Sequence, residues 1–212
     1  MNELVLKNRL ADTGVFVTGG HFVYATGEHG SIFIDKNRLY VHPVLQKEVH
    51  SRLANKLMRT KVDVVVGVAT GGVCLAHNVA YHISIATKKE VESIYAEKIS
   101  GQRNFKYRSS FSEVLLGKKV IIVDDGLQTG ETIGKLIELT KFYGGIIVCV
   151  GVLFNKNGFD AGYFDVPNLV EVFKVDYKRN TWSAAKCRLC VMNIPINLKL
   201  GQGMNFLGLI HD

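Results

Sequence analysis

From residue 62 onward the chain alternates short, continuous apolar runs with longer stretches of helical period. The runs Val62–Val68, Val91–Glu97, Lys119–Asp124, Ile146–Phe154 and Leu169–Val175 predict strands covered on both faces. Between them, Val73–Ile85 and Thr132–Tyr143 predict helices, the second stopped by Gly144–Gly145. This alternation predicts an α/β fold with a central parallel sheet flanked by helices. Upstream, Pro43–Arg59 reads as a helix. Gly20–Lys36 reads as a hairpin of aromatic and β-branched residues around the turn Gly27-Glu28-His29-Gly30. One domain over 1–212 is expected: a helix, the hairpin and a second helix to about residue 60, the α/β core to about 176, then a tail.

Composition adds little to that picture and charge adds more. Hydrophobic residues make up 47% and charged residues 21%, ordinary for a globular protein. No apolar run reaches the length of a membrane span, and MNELVLKNRLADTG lacks a secretory pattern, so a cytoplasmic location is expected. The net charge of +7 is uneven. Ser100–Ser112 carries Arg103, Lys106 and Arg108 with no acid, and Tyr177–His211 holds Lys178, Arg179, Lys186, Arg188 and Lys199, again with no acid. No nucleic-acid-binding signature accompanies these patches, and a phosphate-rich small molecule explains them more economically.

The densest chemistry lies in Val120–Ile133, VIIVDDGLQTGETI. A buried strand delivers Asp124 and Asp125 to its carboxyl end, where open α/β sheets bind ligands. Gln128, Thr129, Gly130, Glu131 and Thr132 then form a turn into a helix, whose free N–H groups and dipole suit a phosphate. Two carboxylates beside a phosphate suit ribose hydroxyls or a magnesium ion that screens the charge. A second strand-to-helix turn, VVVGVATGG at Val64–Gly72, offers Ala69, Thr70, Gly71 and Gly72; by itself, such a turn often serves only close packing. Tyr95–Lys98, YAEK, opens the basic segment that ends at Tyr107–Phe111, YRSSF, a candidate mobile loop with Lys98 and Arg108 at its two ends.

Together these segments resemble the orotate phosphoribosyltransferase-like branch of the type I phosphoribosyltransferases. The acidic pair and its loop resemble the family's phosphoribosyl-pyrophosphate (PRPP) motif, with Gln128 and Glu131 departing from it. Gly71–Gly72 match the pyrophosphate loop. The Ala-Glu-Lys and the later Arg match the basic loop. Gly20–Lys36, GHFVYATGEHGSIFIDK, is similar to the hairpin that forms a small hood over the base. TWSAAKCRLCVMNIPI resembles a Cys-x-x-Cys tail of some members.

The resemblance implies transfer of a 5-phosphoribosyl group from PRPP, with magnesium, to orotate in pyrimidine biosynthesis. It places Asp124, Asp125, Gly126, Leu127, Gln128, Thr129, Gly130, Glu131, Thr132, Ala69, Thr70, Gly71 and Gly72 on PRPP. Lys98 and Arg108 join the acidic pair in catalysis, and Phe33, Lys36, Gln128 and Lys156 fall near the base. Magnesium would be held mainly through PRPP, with Asp124 and Asp125 as the carboxylates able to reach it. The loop lysine of such enzymes usually serves the neighbouring subunit's site, which implies a homodimer. Asn155-Lys156 stands where orotate enzymes carry Asp-Arg, so a purine or uracil remains an alternative base. A non-catalytic PRPP sensor that binds nucleic acid is the alternative outside enzymes.

Cys74 and Cys149 lie in apolar text and are expected to be buried thiols. Cys187-x-x-Cys190 is half a zinc site by spacing. No second Cys or His pair stands nearby in the text, so plain thiols are expected, with an intersubunit metal or disulfide as the alternative.

Overall fold

The computed structural model describes residues 3–209. They group into two compact units, one built from the chain up to Gln46 and from Asp176 onward, the other from Lys47–Val175. The first helix and hairpin and the C-terminal tail read from the sequence thus fall in one unit, while the helix expected over Pro43–Arg59 lies mostly in the other.

That unit opens with α1 (Glu3–Asp12), followed by β1 (Phe16–Val23), β2 (His29–Ile34) and α2 (Lys36–Val41). β1 and β2 pair antiparallel, with an irregularity between Thr18 and Phe22. Phe22, fully buried, packs on Phe33 at 5.4 Å between ring centroids. Asp35 caps α2 by accepting from the Asn37 N–H. α3 (Pro43–Leu57) begins in this unit and continues into the second.

The second unit holds β3 (Val64–Val68), α4 (Gly71–Thr87), β4 (Glu92–Lys98), β5 (Phe105–Lys106), α5 (Ser109–Ser112), β6 (Lys119–Leu127), α6 (Glu131–Phe142), β7 (Ile146–Asn155) and β8 (Leu169–Lys174). Its six-stranded sheet runs β5-β4-β3-β6-β7-β8, parallel except for β5. Val64, Val65, Val66, Val120, Ile121, Ile122 and Val123 are all fully buried, the signature of a sheet covered on both faces. α6 buries Ile133, Leu136, Ile137 and Thr140, a stripe at i, i+3, i+4 and i+7. It stops where expected: Gly144 takes φ 79° and the Gly145 N–H donates to the Thr140 carbonyl.

Three expectations are corrected. β6 runs three residues past Asp124, because Gly126 and Leu127 still pair with Phe154 and Asn155 of β7. The acidic pair therefore lies within the strand's last turns of pleat, not beyond them. Cys74 is exposed, since the helical period of α4 turns it outward while Leu75 and Ala76 face the core; Cys149 is buried, and burial pushes its thiol up to about 12. The segment read as a loop carries a short hairpin: Lys98 pairs with Phe105 and Glu97 with Lys106. Buried Tyr107 anchors it, its hydroxyl 2.8 Å from that of Thr140 on α6.

The tail returns to the first unit. β9 (Thr181–Trp182) adds to β2 through His29↔Trp182 and Gly30↔Thr181, and short helices α7 (Arg188–Val191) and α8 (Gly203–Phe206) follow.

Candidate active site

In the six-stranded sheet, β3 connects through α4 to β4 on one side, while β6 lies on its other side and leads to β7. The strand order reverses between β3 and β6. That switch point opens a crevice at the carboxyl ends of the two strands. Ala69–Gly72 leaves β3 there and Gln128–Thr132 leaves β6 beside it.

Gly67 and Gly72 explain the first turn. A Cβ on Gly67 would lie 2.6 Å from the Gly72 carbonyl carbon, and one on Gly72 would lie 3.2 Å from the Gly67 backbone. The two glycines thus let the start of α4 lie directly on β3. No side chain caps α4 at Thr70, and the Ala69–Thr70 peptide is cis.

At the second turn Gly130 takes φ 83°, and a Cβ there would also crowd Tyr163 at 2.9 Å. Again the cap residue lends no side chain, which leaves the N–H groups beyond that of Glu131 to meet an anion. Thr129 Oγ1 lies 3.4 Å from the Glu131 N–H.

Asp125 is buried, only 6% exposed, while Asp124 is half-buried and its Oδ1 accepts the Asp125 N–H at 2.8 Å. Below them lies a residue the sequence did not single out. His50 of α3 is fully buried and accepts at Nδ1 from Asn78 of α4 at 2.9 Å. Burial lowers its pKa to about 4; the nearby Asp125 charge opposes the shift and His82 adds to it.

Lys98, Gln102, Arg103, Phe105, Glu131, Thr132 and Lys135 line one cleft of about 250 Å³. The structure therefore brings Lys98 to the N-terminus of α6 in its own chain. Lys135 and Arg103 join it, and no local motif marks Lys135 in advance. The Glu131 carboxylate is held by Lys135 at 2.6 Å, one turn along the helix, and that contact lowers its pKa. Arg108 is drawn aside: exposed, it pairs with Glu97 at 2.6 Å.

Gln128 and Lys156 meet, the ammonium donating to Gln128 Oε1 at 3.4 Å, and Asn157 donates to the Gln128 carbonyl at 2.6 Å. Asn155 is fully buried and committed elsewhere. Its Nδ2 donates to the Phe159 carbonyl and to Glu171 Oε2, both at 2.7 Å, and its Oδ1 accepts the Phe159 N–H at 3.1 Å. An aspartate in its place would set a second carboxylate against Glu171, so the amide belongs with that partner. Phe33 and Lys36 belong to the other unit, where Phe33 packs on Phe22 and Lys36 starts α2.

The expectation of isolated thiols at Cys187 and Cys190 is corrected by the first unit itself. β1 and β2 bring His21 and His29 to the same point as the two cysteines. The pairing was missed because 166 positions separate His21 from Cys187.

This is an open α/β protein whose ligand crevice, with two helix-starting turns and an acidic pair, lies at the switch point of its sheet. The chain belongs to the phosphoribosyltransferase family: residues 37–180 match the phosphoribosyl transferase domain. It is 32% identical over 200 residues to the orotate phosphoribosyltransferase of Thermotoga maritima, covering 94% of this chain and all of that one. Among solved structures it is similar to the orotate phosphoribosyltransferase of Aeropyrum pernix, with TM-score 0.62 and 24% identity over 80% of this chain and 93% of that one. It is also similar to the adenine phosphoribosyltransferase of Thermoanaerobacter pseudethanolicus, with TM-score 0.56 and 21% identity over 68% of this chain and 89% of that one.

Proposed function

We propose that this phosphoribosyltransferase transfers the 5-phosphoribosyl group of PRPP to N1 of orotate, releasing pyrophosphate and forming orotidine 5′-monophosphate. The observation that carries the reading is the pair of turns at the switch point, Ala69–Gly72 and Gln128–Thr132, with Asp124 and Asp125 between them. A ligand with a phosphate at one end and a diphosphate at the other needs two such cradles.

The acidic pair accepts from the ribose hydroxyls, and the turn running from Gly126 and Leu127 into α6 holds the 5-phosphate. The β3 turn holds the diphosphate. Magnesium suits this donor set, a hard cation for carboxylate and phosphate oxygens, and would neutralise diphosphate charge near Asp124 and Asp125. As the ribose–diphosphate bond lengthens, positive charge grows on the sugar ring and negative charge on the leaving group. Lys98 meets the second from the cleft it shares with Thr132. Arg108 would have to leave Glu97 to assist it.

Lys156 supplies the cation for the orotate carboxylate, beside Gln128. The part of Phe33 and Lys36 in base binding rests on the family resemblance alone. A different base is the second reading, favoured by one observation: Asn155 is engaged by Phe159 and Glu171, leaving Lys156 without the bidentate fork of an arginine.

A panel of orotate, uracil, adenine, guanine and hypoxanthine, each with PRPP and magnesium, tests the reading by pyrophosphate release. Orotate is the expected substrate. Turnover of a purine without orotate would reassign the base, and tight PRPP binding with no turnover of any base would support a sensor.

A further inference from the structure

The four side chains that meet in the first unit form a constellation of metal-ligating groups that the proposed reaction does not use. Cys187 Sγ lies 3.6 Å and Cys190 Sγ 3.8 Å from His21 Nε2, and Cys190 Sγ lies 3.4 Å from His29 Nδ1. The two imidazole nitrogens are 2.8 Å apart, and all four donor atoms fall within 4.8 Å of one another. Around a tetrahedral zinc with bonds of about 2.1 Å to nitrogen and about 2.3 Å to sulfur, neighbouring N and S donors stand roughly 3.6 Å apart and two nitrogens roughly 3.4 Å. The three nitrogen–sulfur distances therefore already match, and the two rings need to part by about half an ångström.

The surroundings favour a metal over a set of hydrogen bonds. His21 Nδ1 lies 2.7 Å from the Ile194 carbonyl, which can only accept, so this nitrogen carries the proton and Nε2 presents a lone pair to the cluster. One lone pair faces three neighbours, His29 and both thiols, and can accept well from one of them. A cation satisfies all four donors together. Three of the four groups are buried, His21, His29 and Cys187 at 2%, 0% and 1% exposed, with the Phe206 ring edge-on to His29 at 4.7 Å, while Cys190 closes the site from its exposed side. Zn²⁺ with two thiolates and two neutral imidazoles carries no net charge, which suits the buried side of the site.

We propose that His21, His29, Cys187 and Cys190 bind one structural zinc ion. On binding, the two thiols release their protons to solvent, and four sulfur and nitrogen lone pairs form the bonds to the metal. The ion ties β1 and β2 to the tail just beyond β9, closing a loop of 166 positions between His21 and Cys187. Four protein donors leave no open position, so the site is structural and not catalytic.

The full chain, produced in zinc-replete medium without a histidine tag and exhaustively dialysed under reducing conditions, tests this by elemental analysis. About one zinc per chain is expected, not displaced by excess magnesium, and cobalt(II) loading should give the strong visible bands of a tetrahedral site with thiolate ligands. The Cys187→Ser, Cys190→Ser double variant should hold no zinc. If that variant does not fold, X-ray absorption of the wild-type zinc decides, with two sulfur and two nitrogen neighbours expected. Wild-type protein with less than roughly a tenth of a zinc per chain and no cobalt spectrum would overturn the proposal. So would a shell of oxygen donors, or zinc that persists in a folded double variant.

Discussion

Two single residues set the limits of what the site tolerates. Asn155 shows why a family position can change hands: with both amide hydrogens spent on Phe159 and Glu171, it stabilises the loop after β7 and makes no demand on a ligand. His50 couples the floor of the site to pH. Its folded pKa, about 4, lies below the ordinary 6.5, so above 6.5 it is neutral in both states and its contribution to stability is fully present. As pH falls from 6.5 to about 4, the unfolded chain takes up a proton that the folded chain refuses, and stability is lost. At about 1.36 kcal/mol per pH unit, a gap of about 2.5 units comes to about 3 kcal/mol. Between pH 7 and pH 5, urea unfolding of wild type should therefore lose about 2 kcal/mol more than that of His50→Gln. Equal losses would show that His50 is not held neutral.

Among the elements, the hairpin of β4 and β5 matters most for turnover. Lys98→Ala should leave PRPP affinity nearly unchanged and cut kcat about a hundred- to thousand-fold, the cost of losing one preorganised electrostatic contact. Steady-state kinetics with both substrates varied measures this; a rise in KM at constant kcat would make Lys98 a simple binding group. The strands behind this site were legible in the sequence because parallel strands buried on both faces leave unbroken apolar runs, as in Val64–Val68 and Val120–Val123. The hairpin was not. Its two strands overlap by only two residue pairs, and the anchor that orders it, Tyr107 on Thr140, is a contact across the fold that no local period reveals. The cluster of His21, His29, Cys187 and Cys190 was hidden for the same reason, half of its side chains lying in β1 and β2 and half in the tail.

For the whole molecule, the place of Lys98 separates two arrangements of the active site. The family resemblance implies a homodimer with a shared lysine, while Lys98 here lines a cleft with Thr132 of its own chain. Mixing inactive Lys98→Ala chains with inactive Asp124→Asn, Asp125→Asn chains separates the two arrangements. The cleft geometry expects no recovery of activity once subunit exchange is verified. Recovery toward a quarter of the wild-type rate, the statistical share for one competent site per mixed dimer, would place the lysine across the interface.

The division of the chain has a consequence of another kind, in time. The first unit draws its strands from both ends of the sequence, β1 and β2 early and β9 late, with all of Lys47–Val175 between. During synthesis the hairpin emerges from the ribosome well over a hundred residues before the strand and the cysteines that complete it, which at about 5–20 residues per second is a delay of roughly 7–30 s. The central unit is whole by then. The nascent chain must therefore carry an unpaired β2 edge and two unengaged histidines through most of its translation, the interval in which a chaperone would find it.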